Sequence, residues 1–214
     1  MNIYAVDCTP WLDDNAVEQA LPYLDDKRRS RIRRLRVPLK RAQCVSAGLL
    51  LTKVLGKNKV APTLGYGENG KPYRADKPNV HFNITHSDKW VFLAVSDCEI
   101  GIDAQAPRRV CPRLAARSTS PEELAWVKEN IEPNFTRLWT MKEAYLKYTG
   151  TGLTVPIHSV TVTVPPTDGY DEQNKCYWTL LTYENTPLSF CSTKAIEDVT
   201  VEMLTINHND EVVL

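Results

Sequence analysis

A carboxylate and an ammonium group lie four residues apart in the segment WTMKEAYLK, residues 139–147. At about 3.6 residues per helical turn, Glu143 and Lys147 fall on one side of a helix, roughly opposite an apolar stripe. Such a pair could be an ordinary surface ion pair worth about 0.2–0.5 kcal/mol. It could equally serve chemistry, because a carboxylate can hold a metal ion or accept a proton. The residues of the apolar stripe are Leu138, Met141, Tyr145 and Tyr148.

Three further short motifs precede this helix. They are GKP at residues 70–72, HFNITHS at residues 81–87 and IGIDAQ at residues 100–105. Together with the helix they resemble the motifs of the surfactin-type phosphopantetheinyl transferases, which are a GKP turn, FN-x-(S/T)-HS, G-(I/V)-D-x-E and (W/F)-x-x-KE-(A/S)-x-x-K. Each motif alone is weak, but four in the family's order across residues 70–153 are hard to produce by chance.

The resemblance implies both a fold and a reaction. The fold is α+β, a pseudo-dimer of two similar α+β halves with the active site in the cleft between them, here residues 1–106 and 107–214. The reaction is Mg²⁺-dependent transfer of the 4′-phosphopantetheine arm of coenzyme A to a serine of an apo acyl or peptidyl carrier protein. The products are holo carrier protein and adenosine 3′,5′-bisphosphate. An internal pseudo-dimer favours a monomer, and the carrier could serve fatty acid, polyketide or nonribosomal peptide synthesis.

The resemblance also implies which side chains contact coenzyme A. Four of them lie in the motifs, and three arginines of the N-terminal region match, more loosely, positions that touch the nucleotide. A forked guanidinium suits a phosphate group well. The implied contacts are Lys71, Thr85, His86, Lys147, Arg28, Arg31 and Arg41.

The implied metal ligands are Asp103, Gln105 and Glu143, and the implied catalytic residues are Glu143 and Lys147. Glu143 would hold the metal and accept the serine proton while Lys147 steadies the phosphates. The family usually has glutamate where this chain has Gln105, and an amide oxygen can still ligate Mg²⁺ with less charge. An acidic residue after Ser120 often assists the metal in relatives, and the sequence leaves Glu122 and Glu123 as alternatives.

A dense basic segment lies at residues 27–41, where nine of fifteen residues are lysine or arginine. Composition does not distinguish among nucleic acid, an acidic protein surface and the phosphates of a nucleotide as its partner. The alternative function is therefore a non-catalytic nucleic-acid-binding protein that uses this segment. Against it, the segment lacks interleaved aromatic residues, and the chain has no zinc-finger or RNA-recognition signature. We expect no nucleic-acid partner.

Composition is that of an ordinary globular protein, with 214 residues, 43% hydrophobic, 24% charged and no net charge. No apolar run has the length of a membrane span, and the first residues lack the regions of a signal peptide, so we expect a cytoplasmic protein without a membrane partner. Six cysteines without a C-x-x-C pair indicate reduced thiols, and the four histidines, His208 included, do not combine with them at zinc-ligand spacing.

Periodicity predicts helices at residues 25–36 and 40–55, a helix capped by Ser120 and ended by Pro133, and the motif helix, which stops at Gly150. It predicts that three consecutive strands form a meander at residues 80–85, 90–96 and 100–104. Further extended segments are predicted at residues 157–164, 177–184, 188–193 and 199–206.

Overall fold

The computed structural model describes residues 1–206. Residues 207–214, with His208 and the end of the predicted second half, lie outside the described residues. The described chain contains blocks of helices followed by blocks of strands, which confirms the predicted α+β class. The strands are β1 (Asn2–Asp7), β2 (Leu64–Tyr66), β3 (Pro72–Arg74), β4 (His81–Ser87), β5 (Trp90–Ser96), β6 (Ile100–Ala104), β7 (Gly169–Asp171), β8 (Cys176–Tyr183), β9 (Thr186–Ser192) and β10 (Val201–Met203).

Two of the predicted helix ends, at Ser120 and at Gly150, are confirmed. Ser120 and Glu123 form a reciprocal capping box at the start of one helix, and Gly150, with φ +69°, ends the motif helix in the left-handed conformation. No helix within residues 1–206 is both long and apolar enough to cross a membrane. The α-helices are α1 (Asp14–Ala20), α2 (Asp26–Arg34), α3 (Pro38–Leu55), α4 (Pro112–Ser118), α5 (Pro121–Glu129) and α6 (Ile131–Thr149).

The prediction that Pro133 ends the helix begun at Ser120 is wrong. That helix, α5, ends at Glu129, and Pro133 lies in the first turn of α6. Proline is tolerated there because the first-turn N–H groups have no partner within a helix.

The strands of residues 1–206 build two four-stranded sheets and one two-stranded hairpin, β2–β3. The first sheet has the order β10-β1-β5-β4 and the second β6-β9-β8-β7. Apolar side chains from both sheets, among them Phe92 and Ile102, share one core. Helices α1–α3 pack with the first sheet around a second core, and α4–α6 pack with the second sheet around a third.

The predicted three-stranded meander is wrong in its third strand. Strands β4 and β5 pair antiparallel, but β6 pairs with β9 and so forms an edge of the second sheet. The prediction of an extended segment at residues 157–164 is also wrong, because those residues begin with a 3-10 helix at Ile157–Ser159. The division into residues 1–106 and 107–214 stays a prediction, and the sheets cross it twice. Strand β6 joins the later strands, while β10 pairs with β1.

Helix α6 packs directly on β6 at Gly101. A Cβ atom added to Gly101 would lie 2.0 Å from the Ala144 carbonyl oxygen and 2.4 Å from the Tyr148 nitrogen. These are backbone atoms of the helix, which cannot turn aside as a side chain can. Glycine is therefore what allows the motif helix to approach the strand that carries Asp103.

We predict that Gly101→Ala lowers the free energy of unfolding by about 1–3 kcal/mol, because overpacking must push α6 away from β6. Chemical denaturation measures the loss. The matched control is Gly67→Ala, whose added Cβ would meet only the Lys71 carbonyl oxygen, at 3.8 Å. Equal stability of the two variants would contradict the close approach of α6 to β6.

Candidate functional site

Side chains of β4 bind the backbone of β6, and together they form what we call the polar junction. Three alternate residues of β4, Asn83, Thr85 and Ser87, each accept a hydrogen bond from an N–H group of β6 or the residues after it. The three side chains are buried. The bonds run from Ile102 N to Asn83 Oδ1 (3.1 Å), from Ala104 N to Thr85 Oγ1 (3.2 Å) and from Ala106 N to Ser87 Oγ (2.7 Å).

The polar junction also fixes the Asp103 carboxylate. The Thr85 hydroxyl donates to Asp103 Oδ1 at 2.9 Å, and Lys147 Nζ on α6 donates to the same oxygen at 2.6 Å. Lys147 Nζ also donates to the Ile102 carbonyl oxygen at 3.0 Å. The ion pair of Lys147 is therefore with Asp103 across the β6–α6 contact, rather than a surface pair with Glu143. Because the Thr85 hydroxyl donates its hydrogen bond to Asp103, it positions that carboxylate. The expected contact of Thr85 with coenzyme A stays a prediction.

Glu143 lies close to this ion pair but is not part of it. Within residues 1–206 its carboxylate takes no hydrogen bond and no ion pair. Burial and then the negative charge of Asp103 raise its pKa, and the opposing charge of Lys147 is not enough to cancel them. A half-buried carboxylate with a raised pKa and free oxygens suits a proton acceptor or a metal ligand.

The donor set fits a magnesium ion better than a transition metal. No three His, Cys, Asp or Glu side chains within residues 1–206 are grouped so that they could hold a metal. Mg²⁺ needs only one or two carboxylates, because it keeps several waters and takes phosphate oxygens. Asp103 and Glu143 could supply these. Gln105 directly follows β6, two residues after Asp103, and its amide nitrogen donates to the Ala106 carbonyl oxygen.

His86 follows Thr85 on β4, and it does not carry a positive charge at neutral pH. Although part of the residue is open to solvent, burial of the imidazole, followed by the charges of Lys40 and Lys147, lowers its pKa to about 4. An arriving phosphate would have the opposite effect, since it favours the imidazolium form. Lys40, in the first turn of α3, was counted in the basic segment of residues 27–41 but was not assigned to the site from the sequence.

Lys71 is not brought into this cluster. Its Nζ donates to Glu99 Oε2 at 2.7 Å and to the Tyr148 carbonyl oxygen at 2.8 Å. Glu99 precedes Asp103 by four residues of extended chain, which corresponds to roughly 13 Å. Lys71 thus ties the β2–β3 hairpin to the end of α6, away from Asp103, and its role in binding coenzyme A stays a prediction.

The three predicted arginines differ in their surroundings. Arg28 donates to the Cys44 carbonyl oxygen at 3.2 Å and pairs with Asp25 at 3.5 Å. Arg41 pairs with Asp14. Arg31 is exposed on α2 and forms no ion pair within the described chain. Two of the three are therefore engaged with protein groups, and all three remain predicted nucleotide contacts.

Glu122 and Glu123 are the two alternatives for an acidic residue that assists the metal, and of these only Glu122 is exposed. Glu123 is buried against Lys142 on α6, and the two form an ion pair of 2.6 Å. The sequence analysis missed Lys142, although a signal was present. Lys142 lies one turn after Leu138 and so falls within the apolar stripe of α6, where a charge requires a buried partner.

Comparisons with known proteins show which family the chain is similar to. A profile described as the 4′-phosphopantetheinyl transferase superfamily matches residues 99–200, which contain Asp103, Glu143 and Lys147. The 4′-phosphopantetheinyl transferase psf-1 of Bacillus pumilus is 31% identical over 175 residues, covering 75% of this chain and 74% of the relative. The 4′-phosphopantetheinyl transferase Sfp of Bacillus subtilis (strain 168) is 29% identical over 201 residues, covering 87% and 88%.

We predict that Thr85→Val lowers the free energy of unfolding by about 1–3 kcal/mol, because the near-isosteric change leaves the buried Ala104 N–H and Asp103 Oδ1 without the hydroxyl. Urea denaturation measures this loss. Thr85→Ser, which keeps the hydroxyl, is the control and should lose clearly less. If valine were as stable as the parent, the polar junction would not be a stabilising contact.

We predict that His86 titrates near pH 4 in the ligand-free protein and that its pKa rises when inorganic pyrophosphate binds. Proton–nitrogen NMR of the imidazole, with the resonance assigned by His86→Gln, measures both values. Lys40→Gln removes one of the nearby positive charges and should raise the ligand-free value. A midpoint close to the ordinary 6.5 would show that the imidazole is not desolvated.

Proposed function

The chain belongs to the 4′-phosphopantetheinyl transferase superfamily, as a member of the surfactin type, and we propose that it uses Mg²⁺ to transfer the phosphopantetheine arm of coenzyme A to a serine of an apo acyl or peptidyl carrier protein. The observation that carries this proposal is the cluster of Asp103, Glu143 and Lys147, built where α6 packs on β6. The same family membership makes the chain an enzyme and disfavours the alternative of a non-catalytic nucleic-acid-binding protein.

The site is proposed to lie in a cleft between two α+β halves of a single monomer. Its support is the arrangement of the two sheets, whose edges meet at the polar junction and whose other neighbours are separate sets of helices. His86 comes from the first sheet, whereas Asp103 and Glu143 come from the second sheet and its helix. A monomer would then carry the whole site. A cytoplasmic location is also part of the proposal.

Lys147 and His86 are the groups that bind the pyrophosphate of coenzyme A in this proposal. Lys147 is already held beside Asp103, so binding a phosphate oxygen requires little reorganisation. His86 is neutral until the anion arrives and then donates as an imidazolium, which makes its contribution specific to the bound state. Phosphoryl transfer needs mainly such positioning and charge neutralisation.

Glu143 accepts the proton of the attacking serine, directly or through a water. The serine oxygen forms a bond to the β-phosphorus of coenzyme A, and the bond from that phosphorus to the bridging oxygen breaks. Adenosine 3′,5′-bisphosphate leaves with the bridging electrons. The raised pKa of Glu143 makes it a better proton acceptor than an ordinary surface carboxylate at neutral pH.

The bound metal would be held by Asp103 and Glu143, with the Gln105 amide oxygen as a weaker ligand or a contact to a metal water. When bound, Mg²⁺ neutralises charge on the pyrophosphate and lowers the pKa of a nearby hydroxyl. Lys147 and Thr85 both donate to one oxygen of Asp103, Oδ1. The other oxygen takes no part in these two bonds, so Asp103 could serve as a metal ligand. The amide at residue 105 gives this set one carboxylate fewer than the family usually has.

We predict that an apo carrier protein incubated with this protein, coenzyme A and Mg²⁺ gains one phosphopantetheinyl group, as measured by mass spectrometry. Glu143→Gln should lower the rate by roughly 10²–10⁴-fold, because it removes the proton acceptor. Glu129→Gln makes the same change at the exposed end of α5 and should leave the rate unchanged.

Absence of the product with both acyl and peptidyl carriers, together with absence of coenzyme A binding, would overturn the proposal. Salt-dependent nucleic-acid binding that needs residues 27–41 but not Asp103 would then support the alternative.

A further inference from the structure

Glu123 on α5 and Lys142 on α6 form a buried ion pair that takes no part in the proposed chemistry. The side chains of Glu123 and Lys142 are each only 1% exposed, and Lys142 Nζ donates to Glu123 Oε2 at 2.6 Å. Burying two charges in this way costs free energy that the pair recovers only when every remaining hydrogen bond is made. Such a pair in the interior therefore calls for an explanation beyond stability.

Every oxygen of Glu123 and the charged end of Lys142 are engaged with protein groups. Glu123 Oε1 accepts from the Val162 N–H at 2.8 Å, and Oε2 accepts from the Ser120 N–H at 2.7 Å as well as from Lys142. Lys142 Nζ also donates to the Ser118 carbonyl oxygen at 2.9 Å. Both oxygens of Glu123 are therefore engaged with protein groups, and which of Glu122 and Glu123 assists the metal stays a prediction.

These bonds fasten α6 to three neighbouring pieces of chain. Ser118 ends α4, Ser120 caps α5, and Val162 belongs to the segment before β7. On the strand side, α6 is fastened to β6 through Lys147 and the close contact at Gly101. The helix is thus held from two directions, and Glu143 lies between the two attachments, directly after Lys142.

Glu143 depends on those attachments because it has no hydrogen bond or ion pair of its own within residues 1–206. The position of its carboxylate is therefore determined by the position of α6. A shift of α6 by one residue would move it about 1.5 Å, and a misplacement of about 1 Å can cost roughly 10²-fold in rate.

We propose that Glu123 and Lys142 are positioning residues, which set the place of Glu143 relative to Asp103 by fixing α6 against α5 and the end of α4. The proposal rests on the proposed transferase function for its kinetic consequence, but the position of Glu143 is a property of the protein alone. It differs from a catalytic role, since neither side chain has a free polar atom to offer to a substrate.

The test compares Glu123→Gln, Lys142→Met and the double variant, in the full chain and below the unfolding temperature of each. Each single change leaves a buried group without its partner, whereas the double change removes both charges together. Steady-state kinetics gives kcat and the KM for coenzyme A. The carbon-13 chemical shift of the Glu143 carboxyl group, assigned with Glu143→Gln, reports its surroundings without any turnover. Glu129→Gln, at the exposed end of α5, is the control for a charge change on the same helix.

We expect each single variant to lose at least tenfold in kcat with KM within twofold of the parent, and to shift the Glu143 resonance. The double variant should recover kcat to within about threefold and restore the resonance. A double variant as slow as the singles would overturn positioning in favour of a direct role. Singles with full kcat, an unmoved resonance and only a lower melting temperature would overturn it in favour of stability alone.

A parent protein that transfers nothing would defeat the proposed function and leave the carboxyl resonance to decide the positioning role. In that case, an unmoved resonance in both single variants would overturn it, and a moved resonance restored in the double variant would support it.

Discussion

The structure depends on a junction between two sheet edges that is made by side chains instead of backbone pairing. Strand β6 gives alternate N–H groups to the side chains of β4, while the Gln105 N–H on its other side donates to the Pro187 carbonyl oxygen of β9. A buried N–H group without a partner costs about 1–3 kcal/mol, so the residues facing β6 have to be acceptors. That requirement accounts for asparagine, threonine and serine at alternate positions of the HFNITHS motif.

The junction has a direct consequence for the charges of the site. Because the Thr85 hydroxyl both accepts from Ala104 and donates to Asp103, the strand contact and the carboxylate are fixed by one side chain. Lys147 then neutralises Asp103 from the helix side. Within residues 1–206, Glu143 has no ion-pair partner, and burial and the negative charge of Asp103 raise its pKa. Asp103 is paired with Lys147, whereas Glu143 has no such partner within residues 1–206. A metal ion and a phosphate could bind to this pair of carboxylates.

Much of the local structure could be predicted from sequence because it follows from local chemistry. The capping box at Ser120, the left-handed stop at Gly150 and the apolar face of α6 each depend on a few neighbouring residues. The family resemblance likewise found Asp103, Glu143 and Lys147, which the structure brings together. The placement of β6 could not be predicted in this way, because a run of extended residues does not show which sheet edge it will join.

The surroundings of two lysines also depend on contacts between distant residues. The sequence did not show that Glu99 and the end of α6 hold Lys71, and the contact of Lys71 with coenzyme A stays a prediction. Lys142 was passed over because its partner, Glu123, is on another helix. Sequence patterns report the type of side chain that a site needs, whereas the pairing of charges is decided by packing.

The central claim is that Asp103 and Glu143 form, with Lys147, one site that joins a magnesium ion to the pyrophosphate of coenzyme A. Calorimetric titration of coenzyme A into the protein, with Mg²⁺ and then with a chelator, tests it most directly when repeated with Asp103→Asn. We expect Mg²⁺ to strengthen coenzyme A binding at least tenfold in the parent and to have little effect on binding by the variant. Coenzyme A binding of equal strength with and without Mg²⁺ in the parent would contradict it.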